Sequence, residues 1–139
     1  MKTSPESTGD LGQLIISELN GRGVALPKPP DPPSLPTTWH TFTLEIRGVK
    51  GLAVRALDCS LDKVADFCFL LLSPFRVYRP FSRDNDRSFW FSVDGKEGSF
   101  SRTDTGLVVS FITWGVSLTI GESDEGLHMG FTKHPPNPG

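Results

Sequence analysis

Positive charge is not in excess in this chain, cysteine is scarce and no apolar stretch is long; each shortage removes a class of function. Fourteen Lys and Arg against sixteen Asp and Glu leave a formal net charge of −2, so the overall basic balance of a general polyanion binder is missing. The two cysteines, Cys59 and Cys68, stand without a CxxC pair or a Cys/His cluster, which argues against a zinc site. A single disulfide between them stays open; two reduced thiols of a cytosolic protein are the plainer reading. The longest apolar run, residues 67–72, falls far short of a membrane span, and residues 1–10 are polar and acidic. A soluble protein with neither a spanning helix nor a secretory signal is therefore expected. His40, His128 and His134 are scattered along the chain, and Gly48-Val49-Lys50-Gly51 is too short to cradle a nucleotide. No nucleophile–base pair, paired carboxylates or metal cluster emerges, so no enzyme, no cofactor and no metal are expected.

What is present is phenylalanine, proline and a patterned middle. Ten Phe against one Tyr bring aromatic bulk without hydroxyls that need partners, enough for one compact core. A length of 139 residues fits one domain. Charge is unevenly spread: from Arg47 to Arg102 ten basic residues face seven acidic ones, and outside that stretch four face nine. The middle can therefore offer a phosphate-binding face although the sum does not demand one.

Periodicity divides the chain. Residues 1–25 read as a flexible start plus a short amphipathic helix, with Asp10 as N-cap and Leu11, Leu14, Ile15 and Leu19 as its stripe. Residues 26–37 read as a linker, with six prolines between Leu26 and Pro36. Residues 38–121 carry the main domain, and residues 122–139 read as a Gly- and Pro-rich tail. Inside the domain Phe42, Leu44 and Ile46 alternate with polar residues as in a strand, with a turn over residues 47–51 and a second strand over 52–57. Ser60 caps a helix whose Leu61, Val64, Ala65, Cys68, Leu71 and Leu72 face a core. Phe89, Phe91 and Val93 form a strand that ends at Asp94-Gly95, a two-residue hairpin signal. Arg76, Arg79, Arg83 and Arg87 form a basic rim that Asp84 and Asp86 can neutralise as surface pairs.

Residues 107–120 are the most informative. Ser110 shares its parity with Ile112 and Trp114, whereas after Gly115 the polar set, Ser117 and Thr119, is odd. A bulge or tight turn at Gly115 restores one face, because a one-residue slip reverses every side chain. Ser110, Ser117 and Thr119 then point together, away from the core. The expected fold class is α+β: a small antiparallel or mixed sheet, packed on one side by helices, with the other face open and polar.

Two segments carry a resemblance. Leu35-Pro36-Thr37-Thr38-Trp39-His40-Thr41-Phe42-Thr43-Leu44 resembles the segment of the tombusvirus RNA-silencing suppressors that bears an end-capping aromatic pair, with Phe42 in place of the second Trp. Trp114-Gly115-Val116-Ser117-Leu118-Thr119-Ile120 is similar to that family's strand Arg-Gly-Val-Ser-Ile-Thr-Val. In length the chain resembles the smaller aureusvirus suppressors. The resemblance implies a homodimer in the host cytoplasm that binds double-stranded RNA, including siRNA, by shape and backbone contacts; the departure from it at Phe42 implies relaxed length selectivity. The resemblance implies that Ser110, Ser117 and Thr119 contact the RNA backbone, that Arg55 falls near the family's basic cluster with Lys50 and Arg47 as further candidate contacts, and that Trp39, with Phe42 in the place of the second aromatic, stacks on a terminal base pair. The family's C-terminal dimerising helix has no counterpart, and Ile112 stands where the family strand has Arg. A second reading is a protein-interaction module, acting through Trp114-Gly115 as a hook for Argonaute or through the Pro-rich arm as an SH3-type ligand.

Overall fold

The computed structural model of the chain describes residues 6–27, 33–78 and 88–133. Nine strands, two α-helices and one 3-10 turn follow in order: β1 (Ser7–Asp10), α1 (Leu11–Gly21), β2 (Pro36–Ile46), β3 (Val49–Ala56), α2 (Leu61–Leu72), the 3-10 turn (Ser73–Phe75), β4 (Arg76–Val77), β5 (Phe89–Val93), β6 (Lys96–Arg102), β7 (Gly106–Phe111), β8 (Val116–Ser123) and β9 (Gly126–Lys133). All nine strands join one sheet in the order β1-β2-β3-β9-β8-β7-β6-β5-β4, every neighbour antiparallel.

The expected small α+β sheet is therefore overturned: strand makes up 51% and helix 23% of the described residues, and the architecture is one large antiparallel sheet with two α-helices. The expectation failed chiefly at the C-terminal end. Residues 126–133, read as tail, form β9, the strand that welds β1–β3 to the β4–β8 meander. Leu127, Met129 and Phe131 are buried in alternation with His128, Gly130 and Thr132, the period of a half-buried strand. The start is likewise no free arm: Ser7–Asp10 pairs with β2, and the buried residues of α1 belong to the same core as the sheet. Of the linker, Pro36 already opens β2, while residues 28–32 lie outside the described residues, as do Arg79, Arg83 and Arg87 of the rim.

Local chemistry explains the elements. Asp10 caps α1 by accepting from the Gly12 N–H at 2.8 Å and also from the Leu35 N–H at 3.2 Å, which ties the helix start to the entry of β2. Ser60 caps α2, and Glu122 Oε2 accepts the Leu61 N–H at 3.2 Å, pinning that helix to the end of β8. The anticipated core stripe of α2 is buried, with Phe67 added where the helix meets α1. A methyl at Gly12 would come within 2.7 Å of the Phe67 ring, so only glycine lets the two helices approach this closely. Arg47-Gly48 and Asp94-Gly95 both sit at positive φ in two-residue hairpin loops, the geometry that matches strand twist. The turn expected over residues 47–51 thus shrinks to two residues, and β3 begins at Val49.

One face of the sheet and both helices enclose the core. Phe67, Phe91, Phe100, Phe111 and Phe131 are fully buried in it, with Phe89 stacked on Phe100 at 4.9 Å and Phe91 edge-on to Phe111 at 5.6 Å. Among the described residues no helix is long and apolar enough to cross a membrane.

Candidate nucleic-acid interface

Strand alternation sends every second side chain to the face that the helices do not cover, and cross-strand partners share a face. The parity flip anticipated at Gly115 is real and is a tight turn. Phe111 pairs with Val116, Gly115 takes φ 73°, and the Gly115 N–H donates to the Ile112 carbonyl at 3.2 Å. That turn sets Ser110 directly opposite Ser117. Register then extends the pair on both sides, to Ser99 on β6 and Thr132 on β9. Four hydroxyl residues on four adjacent strands form one transverse row, about 14 Å long at the usual strand spacing.

Trp90 opposes Ser99 at one end of the row, and Gly51 follows Thr132 at the other. The neighbouring row runs Ser101, Val108, Thr119, Gly130, Ala53, Phe42. Small side chains dominate between Trp90 and Phe42, so a bulky partner can approach the backbone there. The hydroxyls of Ser, Thr and ribose can each donate and accept, and small hydroxyl residues suit sugar and phosphate contacts.

The remaining predicted residues divide. Phe42 is half-buried on the open face. Trp39 is three residues away, hence on the opposite side, and only 9% exposed within the core. The pair therefore cannot act as one clamp, and Trp39 is not available for stacking: it supports β1 from beneath, its ring 3.4 Å from where a Gly9 methyl would stand. Arg55 projects on the open face, opposite both His40 and His128. Arg47 is exposed in the β2–β3 turn, and Lys50 pairs with Glu45 on the parity of the covered face. These three do not form one basic cluster. Among the described strand residues Arg55 alone of the Lys and Arg side chains has open-face register. Arg102, counted in the basic middle, is buried on the helix side, where it bridges Asp62 of α2 at 2.6 Å and donates to the Thr103 carbonyl.

Trp114 is half-buried at the β7–β8 turn, edge-on to Phe111 at 5.8 Å, with the Lys96 ammonium 5.8 Å from its ring. An indole held this way is a packed side chain; a hook would require the turn to release it. Sequence reasoning missed Ser99, Thr132, Trp90, His40 and His128. The period-2 pattern of residues 126–133 was the available signal for Thr132 and His128, whereas the partner of each strand was not legible from any single segment. Among the described residues no group of His, Cys, Asp or Glu could hold a metal ion. No protein-family model matches the chain, nor does a curated protein or a solved structure.

Proposed function

We propose that this protein binds double-stranded RNA on the open face of its sheet and sequesters small duplexes as a suppressor of RNA silencing, acting as a homodimer. The observation that carries the reading is the hydroxyl row Ser99–Ser110–Ser117–Thr132 on the face left bare by the helices. An uncovered sheet face of Ser, Thr and Gly contributes nothing to the core, and its small groups match the 2′-hydroxyls and phosphates displayed across the shallow groove of A-form RNA. One row is shorter than two turns of duplex, which favours two copies side by side. With Arg55 the one open-face Lys or Arg among the described strand residues of each protomer, affinity depends on hydroxyl contacts more than on charge.

Fluorescence anisotropy with RNA and DNA duplexes of about 21 and about 26 base pairs, roughly two turns and somewhat more, tests this. The expected result is sub-micromolar binding to both RNAs and little to either DNA. Ser110→Ala with Ser117→Ala removes two neutral hydrogen-bonding groups and should weaken RNA binding by about tenfold to thirtyfold. The melting temperature should stay unchanged. Because one Arg neutralises few phosphates, the salt dependence should be shallow. Equal affinity for RNA and DNA of one length would refute the 2′-hydroxyl argument.

A further inference from the structure

Beside the hydroxyl field, toward the β8–β9 turn, the open face carries a second row of different chemistry. His40, Arg55 and His128 are direct cross-strand partners on three adjacent strands, so their side chains leave the sheet in one line about 10 Å long. Past His128 the row continues to Gly121 and Gly106, a floor without side chains. His40 and Arg55 belong to one hairpin, and the β3–β9 register brings the distant His128 into line with them.

Three features of this row point to a ligand. First, Arg55 Nε and His40 Nδ1 are buried and make no hydrogen bond among the described residues; buried polar atoms are normally satisfied, and a guanidinium N–H is costly to leave unmet. Second, the carboxylates nearby are loose. Glu125 Oε2 lies 4.0 Å from Arg55 Nη1 and Glu6 Oε2 lies 3.7 Å from His40 Nε2, and both carboxylate side chains are largely in solvent. Exposed pairs at such distances are weak. Third, His128 is oriented: its Nε2 and the Ser123 hydroxyl are 2.9 Å apart, and that hydroxyl also accepts the Glu125 N–H at 3.2 Å. The permanent charge of Arg55 between two imidazoles excludes a metal cation and suits an anion.

We propose that His40, Arg55 and His128 form a phosphate-binding row, which takes one phosphate group with Arg55 as its anchor and the two imidazoles as flanking contacts. Glu125 is the carboxylate that the phosphate displaces from Arg55. The proposal rests on the RNA reading for its natural ligand but not for its chemistry. The phosphate can be an internal diester of an RNA strand or a terminal monoester, and the two are separable by experiment.

The test uses the full chain with isotope-labelled His and Arg side chains, followed by NMR, with anisotropy in parallel. Inorganic phosphate should shift the His40, His128 and Arg55 resonances together and saturably, while signals from the β2–β3 turn stay still. Arg55→Gln should weaken phosphate and RNA binding about tenfold, as expected for losing a charge-assisted contact. Gly121→Glu sets a carboxylate beside the row where an added Cβ meets nothing within 4 Å, so the chain folds and the same loss is expected. Glu125→Gln should tighten binding about threefold. A duplex carrying a 5′-phosphate that loses more affinity in these variants than its 5′-hydroxyl twin identifies the terminal source; equal losses identify the internal one. Phosphate that saturates the row while no duplex binds upholds the site and refutes the RNA reading. Duplex binding untouched by Arg55→Gln and Gly121→Glu, with histidine signals that phosphate does not move, overturns the row and leaves the RNA reading standing.

Discussion

The two faces of this sheet are made by the same strands and obey opposite rules. On the covered face of β7, β8 and β9, Leu107, Val109, Phe111, Val116, Leu118, Ile120, Leu127, Met129 and Phe131 are all buried. On the open face of those strands stand Val108, Ser110, Ser117, Thr119, His128, Gly130 and Thr132. Each strand therefore divides its residues between stability and surface chemistry, and a shift of one position exchanges the roles. Substitutions on one face should change folding and on the other binding, with little overlap.

Trp39 and Phe42 offer the largest break of that separation, since the resemblance assigns both to one function and the sheet assigns them to opposite faces. Trp39→Ala should destabilise the chain by about 3–5 kcal/mol, the usual loss for a buried large aromatic, read by chemical denaturation. At temperatures where that variant remains folded, its RNA affinity should be close to wild type. Phe42→Ala should do the reverse: a modest change in stability and about 1–3 kcal/mol of lost RNA affinity if the ring stacks on a base. A Trp39→Ala variant that folds normally and loses RNA would move the site to the covered side.

Arg102 is a smaller test, because a charge sits where the covered face should be apolar. Its side chain is 8% exposed, yet Asp62, its partner, is 79% exposed. Removing Arg102 leaves Asp62 free to take up water, so the loss is that of the hydrogen bonds to Asp62 and to the backbone at Thr103 and Gly106. Arg102→Met should cost about 1–3 kcal/mol in denaturation, with RNA binding unaltered. Loss of RNA binding without loss of stability would show that this arginine reaches the open face.

Much of this was legible before any fold was known. The caps at Asp10 and Ser60, the α2 stripe, the Asp94-Gly95 turn and the flip at Gly115 are local, written in spacing and turn chemistry. The grouping of Ser110 with Ser117 was legible for the same reason, because one short turn joins them. Partnership between distant strands was not. Ser99, Thr132 and His40 meet Ser110, Ser117 and Arg55 across short hairpins, but His128 reaches Arg55 only through the β3–β9 pairing, and a single segment carries no record of so distant a neighbour. Fold class failed for a related reason. The terminal prolines and glycines mask the alternation of Leu127, Met129 and Phe131 in the strand that completes the sheet. Trp39 was assigned by resemblance to a surface, while its position three residues before Phe42 already forbade both from facing one way in a strand.

The smallest expected effect is also the one that best separates the open face from its rival. On the helix side a groove of about 440 Å³ runs between residues 33–36 and α2 and is lined by Cys59, Lys63 and Leu70 among others. The two thiols report on that side. Both are free; burial pushes the Cys68 thiol up to about 12, and burial also raises Cys59, partly opposed by the Lys63 ammonium. Since the thiolate is the nucleophile, Cys68 at pH 8 holds roughly one part in ten thousand of it and should react with a disulfide reagent only when α2 opens. Cys59 should react first, faster as pH rises. The sign carries over to stability: the raised Cys68 thiol costs the fold nothing below the unfolded value near 9. As pH climbs from there toward 12 the unfolded chain ionises first, so stability is lost across that window. Saturating RNA duplex should leave the Cys59 rate unchanged, because the open face and the groove lie on opposite sides of the sheet. Protection of Cys59 by the duplex would put the RNA against α2 instead, and the hydroxyl row would then have to be explained without it.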